Sequence, residues 1–266
     1  MTCIGIPENC FTFYPSRPII KIPDRQARIA VTFAHLTDIH LGHHFAEKFG
    51  VDSKKNLITV LQDVRLRGIT HLAVTGDIAE DEEAPWFFKT LKEYGFQTYI
   101  TLGNHDNLQA MELYNEHVHA GHYYYKAPSE QACLLFCDSR EAYLDEEQLC
   151  WLVKEIEAST LPILVFLHHP VLDCDNSFMD RKYALKNRET VRSALQATHK
   201  NIHLFCGHYH TTDERSDGNI HQYITPSIFY QIQKYSETLQ KDDKPFGYRI
   251  INLDKQISSQ IITFGV

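Results

Sequence analysis

Five short clusters of aspartate, asparagine and histidine recur along the chain, each placed directly after a short apolar run. In chain order they are Asp38-Ile39-His40, Gly76-Asp77, Gly103-Asn104-His105-Asp106, His168-His169-Pro170 and Gly207-His208-Tyr209-His210. Each cluster alone is a weak signal, because glycine and aspartate are common wherever a strand turns into a loop. The last cluster is stronger, since histidines at alternate positions of an extended segment point to the same side. All five clusters together, in order and after predicted strands, indicate one shared site.

The candidate ligand set suits two metal ions. It comprises two carboxylates, one amide and four imidazoles: Asp38, His40, Asp77, Asn104, His168, His208 and His210. This is too many ligands for one zinc-like ion, but it suits two ions if one carboxylate bridges them. Mixed imidazole and oxygen donors favour Mn, Fe or Zn over calcium. Two such ions, roughly 3.5–4 Å apart, clamp a phosphoryl oxygen and hold a deprotonated, bridging water for in-line attack on phosphorus.

Two residues beside the predicted ligands are candidates for proton transfer. A leaving alkoxide needs a proton, and His105, next to Asn104, is the natural donor. Asp106 could orient His105 or could cap the helix that follows, and both readings stay open. We therefore name His105 and Asp106 as catalytic candidates, and Asn104 and His105 as substrate contacts.

Further histidines and tyrosines could line the pocket, although an ordinary surface or packing role is the more common explanation for each. They are His43, His44, His117, His119, His122 and the run Tyr123-Tyr124-Tyr125.

The elements that must position these residues follow from hydrophobic periodicity. Alternation at Ile29, Val31 and Phe33 predicts a strand, and the spacing of Leu57, Val60, Leu61 and Val64 predicts a helix. Candidate helix N-caps are Ser53, Asp145 with Gln148 as a capping box, and Asn187. Alternating strands and helices predict βαβ units, and the strand-rich C-terminal part predicts a second sheet. Ligands of open α/β sheets bind at the carboxyl ends of the strands, where the five clusters would meet.

Composition narrows the class of protein. The chain has 266 residues, a net charge of -8 and 16 histidines, and nothing supplies a basic stripe for a nucleic-acid polymer. Its seven cysteines include no Cys-x-x-Cys pair, which favours reduced thiols in the cytoplasm. No apolar run approaches membrane-spanning length, so no membrane partner is expected. We expect residues 1–28 to form an irregular arm with an edge strand at most, and residues 29–266 to form one domain.

The five clusters resemble the signature of the calcineurin-like metallophosphoesterase superfamily. That signature reads Asp-x-His, Gly-Asp, Gly-Asn-His-Asp/Glu, His, then Gly-His-x-His, and the similarity extends from about Ile29 to the C-terminus. It is nearest to the bacterial class III cyclic-nucleotide phosphodiesterases and related glycerophosphodiesterases. Further similar segments are Thr75-Gly76-Asp77-Ile78-Ala79-Glu80-Asp81, Asp138-Ser139-Arg140, Thr225-Pro226-Ser227 and Gly247-Tyr248-Arg249. The resemblance implies a four-layer αββα sandwich, in which two mixed sheets are flanked by helices.

The resemblance also implies a role for each candidate ligand. The first metal would be held by Asp38, His40 and His210, the second by Asn104, His168 and His208, and Asp77 would bridge them. His169 would support its neighbours rather than bind metal. Glu80 stands where purple acid phosphatases place a metal-binding tyrosine, so no purple iron site is expected.

The implied activity is hydrolysis of a phosphodiester by two divalent or trivalent ions. The substrate would be a 3′,5′-cyclic nucleotide or a small glycerophosphodiester, cleaved by a metal-bridging hydroxide. The alternatives on the same site are a phosphomonoesterase and a nucleotide pyrophosphatase. A non-catalytic scaffold of the same fold is disfavoured, because such scaffolds have lost metal-site histidines that are all present here. The resemblance also allows a homodimer.

Overall fold

The computed structural model describes residues 31–44, 46–113, 124–254 and 256–265. The predicted arm at residues 1–28 and the histidines at positions 117, 119 and 122 lie outside these ranges. The strands are β1 (Val31–Leu36), β2 (His71–Thr75), β3 (Gln97–Thr101), β4 (Tyr125–Ala127), β5 (Cys133–Phe136), β6 (Ile163–Phe166), β7 (Ile202–Cys206), β8 (Asp213–Asp217), β9 (Ile220–Ile224), β10 (Gln231–Ile232), β11 (Lys241–Asp242), β12 (Phe246–Leu253) and β13 (Ile257–Phe264). The helices are α1 (Ala46–Phe49), α2 (Ser53–Leu66), α3 (Ala84–Tyr94), α4 (Leu108–Glu112), α5 (Glu146–Ala158), α6 (Ser177–Lys182) and α7 (Arg188–Ala197).

Two mixed sheets form the centre of the fold. The first has the strand order β13-β12-β1-β2-β3, and the second has the order β4-β5-β6-β7-β9-β8. Strands β1, β2 and β3 run parallel, as do β5, β6, β7 and β9, which confirms the predicted βαβ units. The prediction that the C-terminal strands form the second sheet is wrong for β12 and β13, which pair beside β1 in the first sheet. The long β12–β13 hairpin pairs, through β12, with the edge of β1 that β2 leaves open.

Apolar side chains divide into three buried clusters that separate four layers. Leu57 and Leu61 of α2 and Phe87 of α3 belong to the cluster on the outer face of the first sheet. Residues of α5 and α7 belong to the corresponding cluster of the second sheet. A third cluster fills the space between the sheets. This is the predicted αββα sandwich, and none of the described helices is both long and apolar enough to span a membrane.

A row of aromatic rings crosses the inner face of the second sheet. Adjacent strands contribute one ring each, and ring centroids are 4.7–5.4 Å apart between Phe136, Phe166 and Phe205. Tyr125 stacks on Phe136 at one end, and Tyr223 stacks on Phe205 at the other. The hydroxyl of Tyr125 also hydrogen-bonds the backbone across the interface. The sequence left open a base-stacking role for Tyr124 and Tyr125. The Tyr125 ring instead packs within this row of aromatic side chains. Tyr124 packs against a tryptophan of α5 at 4.8 Å.

Helix α2 begins one residue earlier than the predicted cap allows. Its N-cap is Asp52, whose side chain accepts a hydrogen bond from the backbone N–H of Lys55 at 3.0 Å. Ser53, the predicted cap, is the first helical residue and is buried. Either side chain can satisfy an unpaired helical N–H, so sequence alone cannot choose between neighbours.

At two further predicted caps, Asp145 with Gln148 and Asn187, contacts with the rest of the fold replace part of the expected capping bonds. Asp145 caps α5 as predicted and accepts from the N–H of Gln148 at 2.7 Å. The reciprocal half of the capping box is missing, because the Gln148 amide binds both backbone groups of Asp138. The side chain of Asn187 makes no capping bond to α7 and instead binds the backbone of Leu144. Both amides are used to hold the segment that follows β5.

A buried arginine ties the two sheets together. Arg249, on β12 of the first sheet, is fully buried and donates to the carbonyl of Ile224 at the end of β9. It also donates to Glu214 of β8 at 2.6 Å and to Ser259 of β13 at 2.8 Å. Its guanidinium lies 5.3 Å from the ring centroid of Tyr223, in a cation–π contact.

Removing this arginine should weaken the sandwich. Arg249→Ala leaves a cavity between the sheets and breaks three hydrogen bonds, so we expect the free energy of unfolding to fall by about 3 kcal/mol. Arg65→Ala, at an exposed position of α2, is the matched control and should change it by less than about 0.5 kcal/mol. Urea denaturation measures both variants, and equal stability of the two would contradict this role for Arg249.

Candidate metal centre

The predicted clusters meet at one rim because five parallel strands end there. In the first sheet, Asp38 follows β1, Asp77 follows β2 and Asn104 follows β3. In the second sheet, His168 follows β6 and His208 follows β7. The two sheets therefore contribute to the same site from opposite sides of the sandwich, as the strand-end argument predicts.

Backbone strain is concentrated at this rim. Asp38, His40, Asp77, His208 and His210 have φ angles between 45° and 67°, in the left-handed region that side chains other than glycine rarely adopt. They are five of the nine such non-glycine residues in the described part of the chain. Each costs roughly 1–3 kcal/mol, and strain of this kind clusters at functional sites. The fold is therefore held in an unfavourable backbone conformation where it presents these side chains.

Two motif glycines are required by close packing between the loops. A Cβ on Gly103 would collide with the carboxylate of Asp77. A Cβ on Gly207 would collide with the hydroxyl of Thr37 and the carboxylate of Asp38. Glycine occurs in these motifs because the carboxylates occupy the space of its missing side chain.

The first ligand group contains Asp38, His40, Asp77 and His210, all of them buried. One ligand atom from each lies within 4.8 Å of all the others. The Nε2 atoms of His40 and His210 are 3.1 Å apart, and Asp38 Oδ1 is 3.3 Å from His210 Nε2. Asp77 Oδ2 is 3.6 Å from His40 Nε2. This donor set can hold one metal ion.

The second ligand group contains Asp77, His168 and His208, which are also buried. His168 Nε2 lies 3.1 Å from His208 Nδ1 and 3.3 Å from Asp77 Oδ2. The same oxygen of Asp77 thus faces a histidine of each group. This is the arrangement that a bridging carboxylate requires.

Backbone carbonyls determine which nitrogen of His168, His208 and His210 faces the centre. A carbonyl can only accept a hydrogen bond, so a ring nitrogen that contacts one must carry a proton. The three pairs are His168 Nδ1 with Thr75 at 2.8 Å, His208 Nε2 with Tyr183 at 2.8 Å, and His210 Nδ1 with Tyr230 at 2.9 Å. In the neutral rings, the inward nitrogens then carry lone pairs. Where both rings are neutral, His168 Nε2 and His208 Nδ1, 3.1 Å apart, present lone pairs that one shared cation could bind.

Electrostatics favour charged aspartates and mostly neutral histidines. Burial alone would raise the pKa of Asp77, but the adjacent His168 outweighs it and holds that pKa well below its usual range. Burial lowers the pKa values of His40 and His208 to about 3, so both rings are neutral and ready to bind a metal. Burial would also lower the pKa of His168, but the charge of Asp77 raises it to about 9. A metal ion held here by Asp77 and His168 would take the place of that proton.

Asn104 and His105 form an exposed turn at the mouth of the centre. The backbone N–H of His105 donates to Asp77 Oδ1 at 2.9 Å, which fixes the turn against the shared carboxylate. The His105 ring is 5.2 Å from that of His40, centroid to centroid. His105 is therefore placed beside the ligand groups and open to solvent.

Asp106 binds backbone groups of two loops, and its orientation of His105 stays a prediction. Its Oδ1 accepts from the N–H of Ile78 at 2.7 Å, and its Oδ2 accepts from the N–H of Gly103 at 2.8 Å. The following helix, α4, is capped by Asn107 instead, so the predicted capping role of Asp106 is wrong. Burial, and then the charge of Asp77, raise the pKa of Asp106 to about 7. Asp106 joins the loops that follow β2 and β3 and so positions Asp77 and Asn104.

His169 supports the centre, as predicted. It is buried, its Nδ1 contacts the hydroxyl of Ser139 at 3.0 Å, and its ring lies 4.0 Å from that of His208. His43, one of the uncertain histidines, also lies at this centre, with its ring 5.2 Å from that of His40. His44 is exposed beside it.

Sequence reasoning missed the hydroxyl groups that hold Asp38. Thr37 Oγ1 lies 2.9 Å from Asp38 Oδ2 and 3.0 Å from the carbonyl of Thr75. Ser227 donates to the backbone carbonyl of Asp38 at 2.9 Å. His35 lies buried between the hydroxyls of Thr75 and Thr225. Ser227 and Thr225 belong to one of the segments already noted for its resemblance, which was the available signal; Thr37 offered only its position before Asp38.

Comparisons with known proteins agree with this geometry. Residues 31–212 match the family described as calcineurin-like phosphoesterase. A Fibrobacter succinogenes protein named "Probable cyclic nucleotide phosphodiesterase" is 31% identical over 205 residues, covering 74% of this chain and 79% of that protein. A Nostoc protein named "3',5'-cyclic-nucleotide phosphodiesterase" is 26% identical and covers 85% of this chain and 89% of its own. An Arcobacter nitrofigilis protein named "Probable glycerophosphodiester phosphodiesterase GpdQ" is 28% identical over 51% of this chain and 55% of its own.

Solved structures show the same fold. A dimetal phosphatase from Danio rerio superposes with a TM-score of 0.60 at 14% identity, covering 88% of this chain and 99% of that chain. The family match, the fold and the shared rim of aspartates and histidines lead to one conclusion. The chain belongs to the calcineurin-like phosphoesterase family and is a hydrolase that acts on phosphoric ester bonds.

Proposed function

We propose that the protein is a binuclear-metal-dependent phosphodiesterase that acts on 3′,5′-cyclic nucleotides or small glycerophosphodiesters. One observation carries the proposal: the two ligand groups share a single oxygen, Asp77 Oδ2. That atom lies 3.6 Å from His40 Nε2 in one group and 3.3 Å from His168 Nε2 in the other. A carboxylate between two donor sets is suited to hold two cations a few ångströms apart.

Seven residues would hold the ions. Asp38, His40 and His210 would bind the first, Asn104, His168 and His208 the second, and Asp77 would bridge both. Imidazole and oxygen donors without thiolate fit Mn, Fe or Zn. When bound, such ions supply the positive charge that polarises a phosphoryl oxygen and lowers the pKa of the attacking water.

The chain's own residues position the substrate and move a proton. His105 is exposed at the mouth, and its backbone bond to Asp77 keeps it beside the two ligand groups. It would contact the phosphoryl group and donate a proton to the departing oxygen, together with contact from Asn104. Asp106 holds the amides of Ile78 and Gly103 and thereby maintains the position of that turn.

The substrate class is supported by the relatives rather than by the pocket. Relatives named for cyclic nucleotides cover most of this chain, and one named for glycerophosphodiesters covers about half of it. A phosphomonoesterase or a nucleotide pyrophosphatase on the same site is the alternative. A non-catalytic scaffold is disfavoured, because every predicted ligand position is filled.

Two accompanying predictions concern the protein's surroundings. The cysteines at positions 133, 137, 150, 174 and 206 are free thiols, which supports a reducing, cytoplasmic location. A homodimer remains a prediction.

Hydrolysis of paired model substrates tests the proposal. Mn²⁺-loaded protein should cleave bis(p-nitrophenyl) phosphate faster than p-nitrophenyl phosphate. Asn104→Ala should reduce diester cleavage by roughly 10²-fold or more, since losing a ligand exceeds the usual effect of outer-shell changes. Asn107→Ala, the cap of α4, is the matched control and should retain activity. Faster monoester cleavage would replace the proposal with its alternative, and full activity of Asn104→Ala would contradict the site.

A second prediction separates proton donation from metal binding. His105→Ala should lower kcat for a diester by about 10²- to 10⁴-fold, because the leaving oxygen loses its proton donor. The variant should still bind the same number of Mn²⁺ ions, measured by equilibrium dialysis. His199→Ala, at an exposed position beyond α7, serves as the control. Loss of bound metal in His105→Ala would show that His105 is a ligand rather than an acid.

A further inference from the structure

A third group of potential ligands lies at the edge of the metal centre, on its exposed side. His43, His44 and Glu80 each offer one ligand atom, and these atoms lie within 4.8 Å of one another. We propose that this triad binds a further divalent cation, separate from the two groups that share Asp77. The inference depends on the geometry of these three residues and not on the proposed reaction.

The donor set is suited to a borderline cation such as Zn²⁺ or Co²⁺. Two imidazoles and one carboxylate are the protein ligands of many zinc sites that keep a further position for water. Imidazole donors favour Zn²⁺ and Co²⁺ over Mg²⁺ or Ca²⁺, which prefer oxygen. The triad therefore differs in kind from a cluster of surface carboxylates.

Backbone pairing brings the two parts of the triad together. Leu41 and Ala79 form an isolated parallel bridge between the loops that follow β1 and β2. The N–H of Glu80 donates to the carbonyl of Leu41 at 2.9 Å, and the N–H of Leu41 donates to the carbonyl of Ile78 at 3.0 Å. These bonds fix the start of the histidine pair against the residue that supplies the carboxylate.

Gly42 lets the chain turn between Leu41 and the histidines. Its φ of +77° is in the left-handed region that glycine adopts without strain. A Cβ at this position would lie 2.8 Å from the side chain of Glu83 and 3.4 Å from that of Glu80. The turn thus keeps the two loops close enough for His43, His44 and Glu80 to bind the same metal ion.

The triad is accessible from solvent and adjoins the reacting region. His44 and Glu80 are exposed, and the half-buried His43 ring lies 5.7 Å from that of His105. A neighbouring cavity of about 360 Å³ is lined by Gly42, His44, Glu80, Glu82 and Glu83. Glu83 is paired with Lys54 at 2.7 Å, but Glu80 and Glu82 leave negative charge that attracts cations, and the cavity leaves room for water ligands.

Counting bound zinc tests the triad. Metal-free full-length protein is dialysed against Zn²⁺, and bound zinc per chain is measured by mass spectrometry. We expect three equivalents in the wild type and two in both Glu80→Gln and His44→Gln. Glu82→Gln removes a carboxylate from the same cavity without touching the triad, so it should keep three. Circular dichroism confirms that each variant is folded.

An Asp77→Ala background separates this inference from the proposed function. That variant lacks the shared ligand of the central groups, so any zinc that remains and is lost on adding Glu80→Gln belongs to the triad. Such a result supports the inference even if the wild type binds fewer than two central ions. Equal zinc content in the wild type and Glu80→Gln overturns the inference and leaves the central site untouched.

Discussion

The carboxylate of Asp77 is buried between histidines supplied by two different sheets. Its Oδ2 faces His40 from the first sheet and His168 from the second, and its Oδ1 accepts the backbone N–H of His105. Removing a carboxylate from water is unfavourable unless opposite charge compensates it. By our proposal, a metal ion on each side would supply that charge, and the same atoms would then link the two sheets at the site of the chemistry.

Much of the surrounding structure serves this arrangement. Strained φ angles at the ligand positions destabilise the folded state, and the interlayer core and the buried Arg249 offset that cost. Neighbouring groups then hold the side chains of the ligand groups in place: carbonyls orient the imidazoles, Thr37 contacts Asp38, and Asp106 joins two loops. These groups fix the donor atoms before any ion binds, which is the condition for tight and selective metal binding. The same rim also supports a further cation at its edge, by our proposal.

The resemblance carried by the five motifs was sufficient for the sandwich class. The convergence of the motifs could be predicted because parallel strands place their carboxyl ends together. The sequence did not predict features that depend on long-range packing. The β12–β13 hairpin pairs with the first sheet, and the side chain of Asn187 bonds the backbone of Leu144 instead of capping its helix. Asp106 illustrates the same limit at the site, since one of its partners, Ile78, is 28 residues away in sequence. Short polar side chains have several satisfying partners, and only the tertiary fold selects among them.

A bridging role of Asp77 between two metal ions is tested most directly by anomalous X-ray diffraction at the manganese edge, from crystals grown with Mn²⁺. We expect two strong peaks, roughly 3.5–4 Å apart, on either side of the Asp77 carboxylate. One of them should adjoin His40 and His210, and the other His168 and His208. A single peak, or a pair that does not share Asp77, would contradict the account.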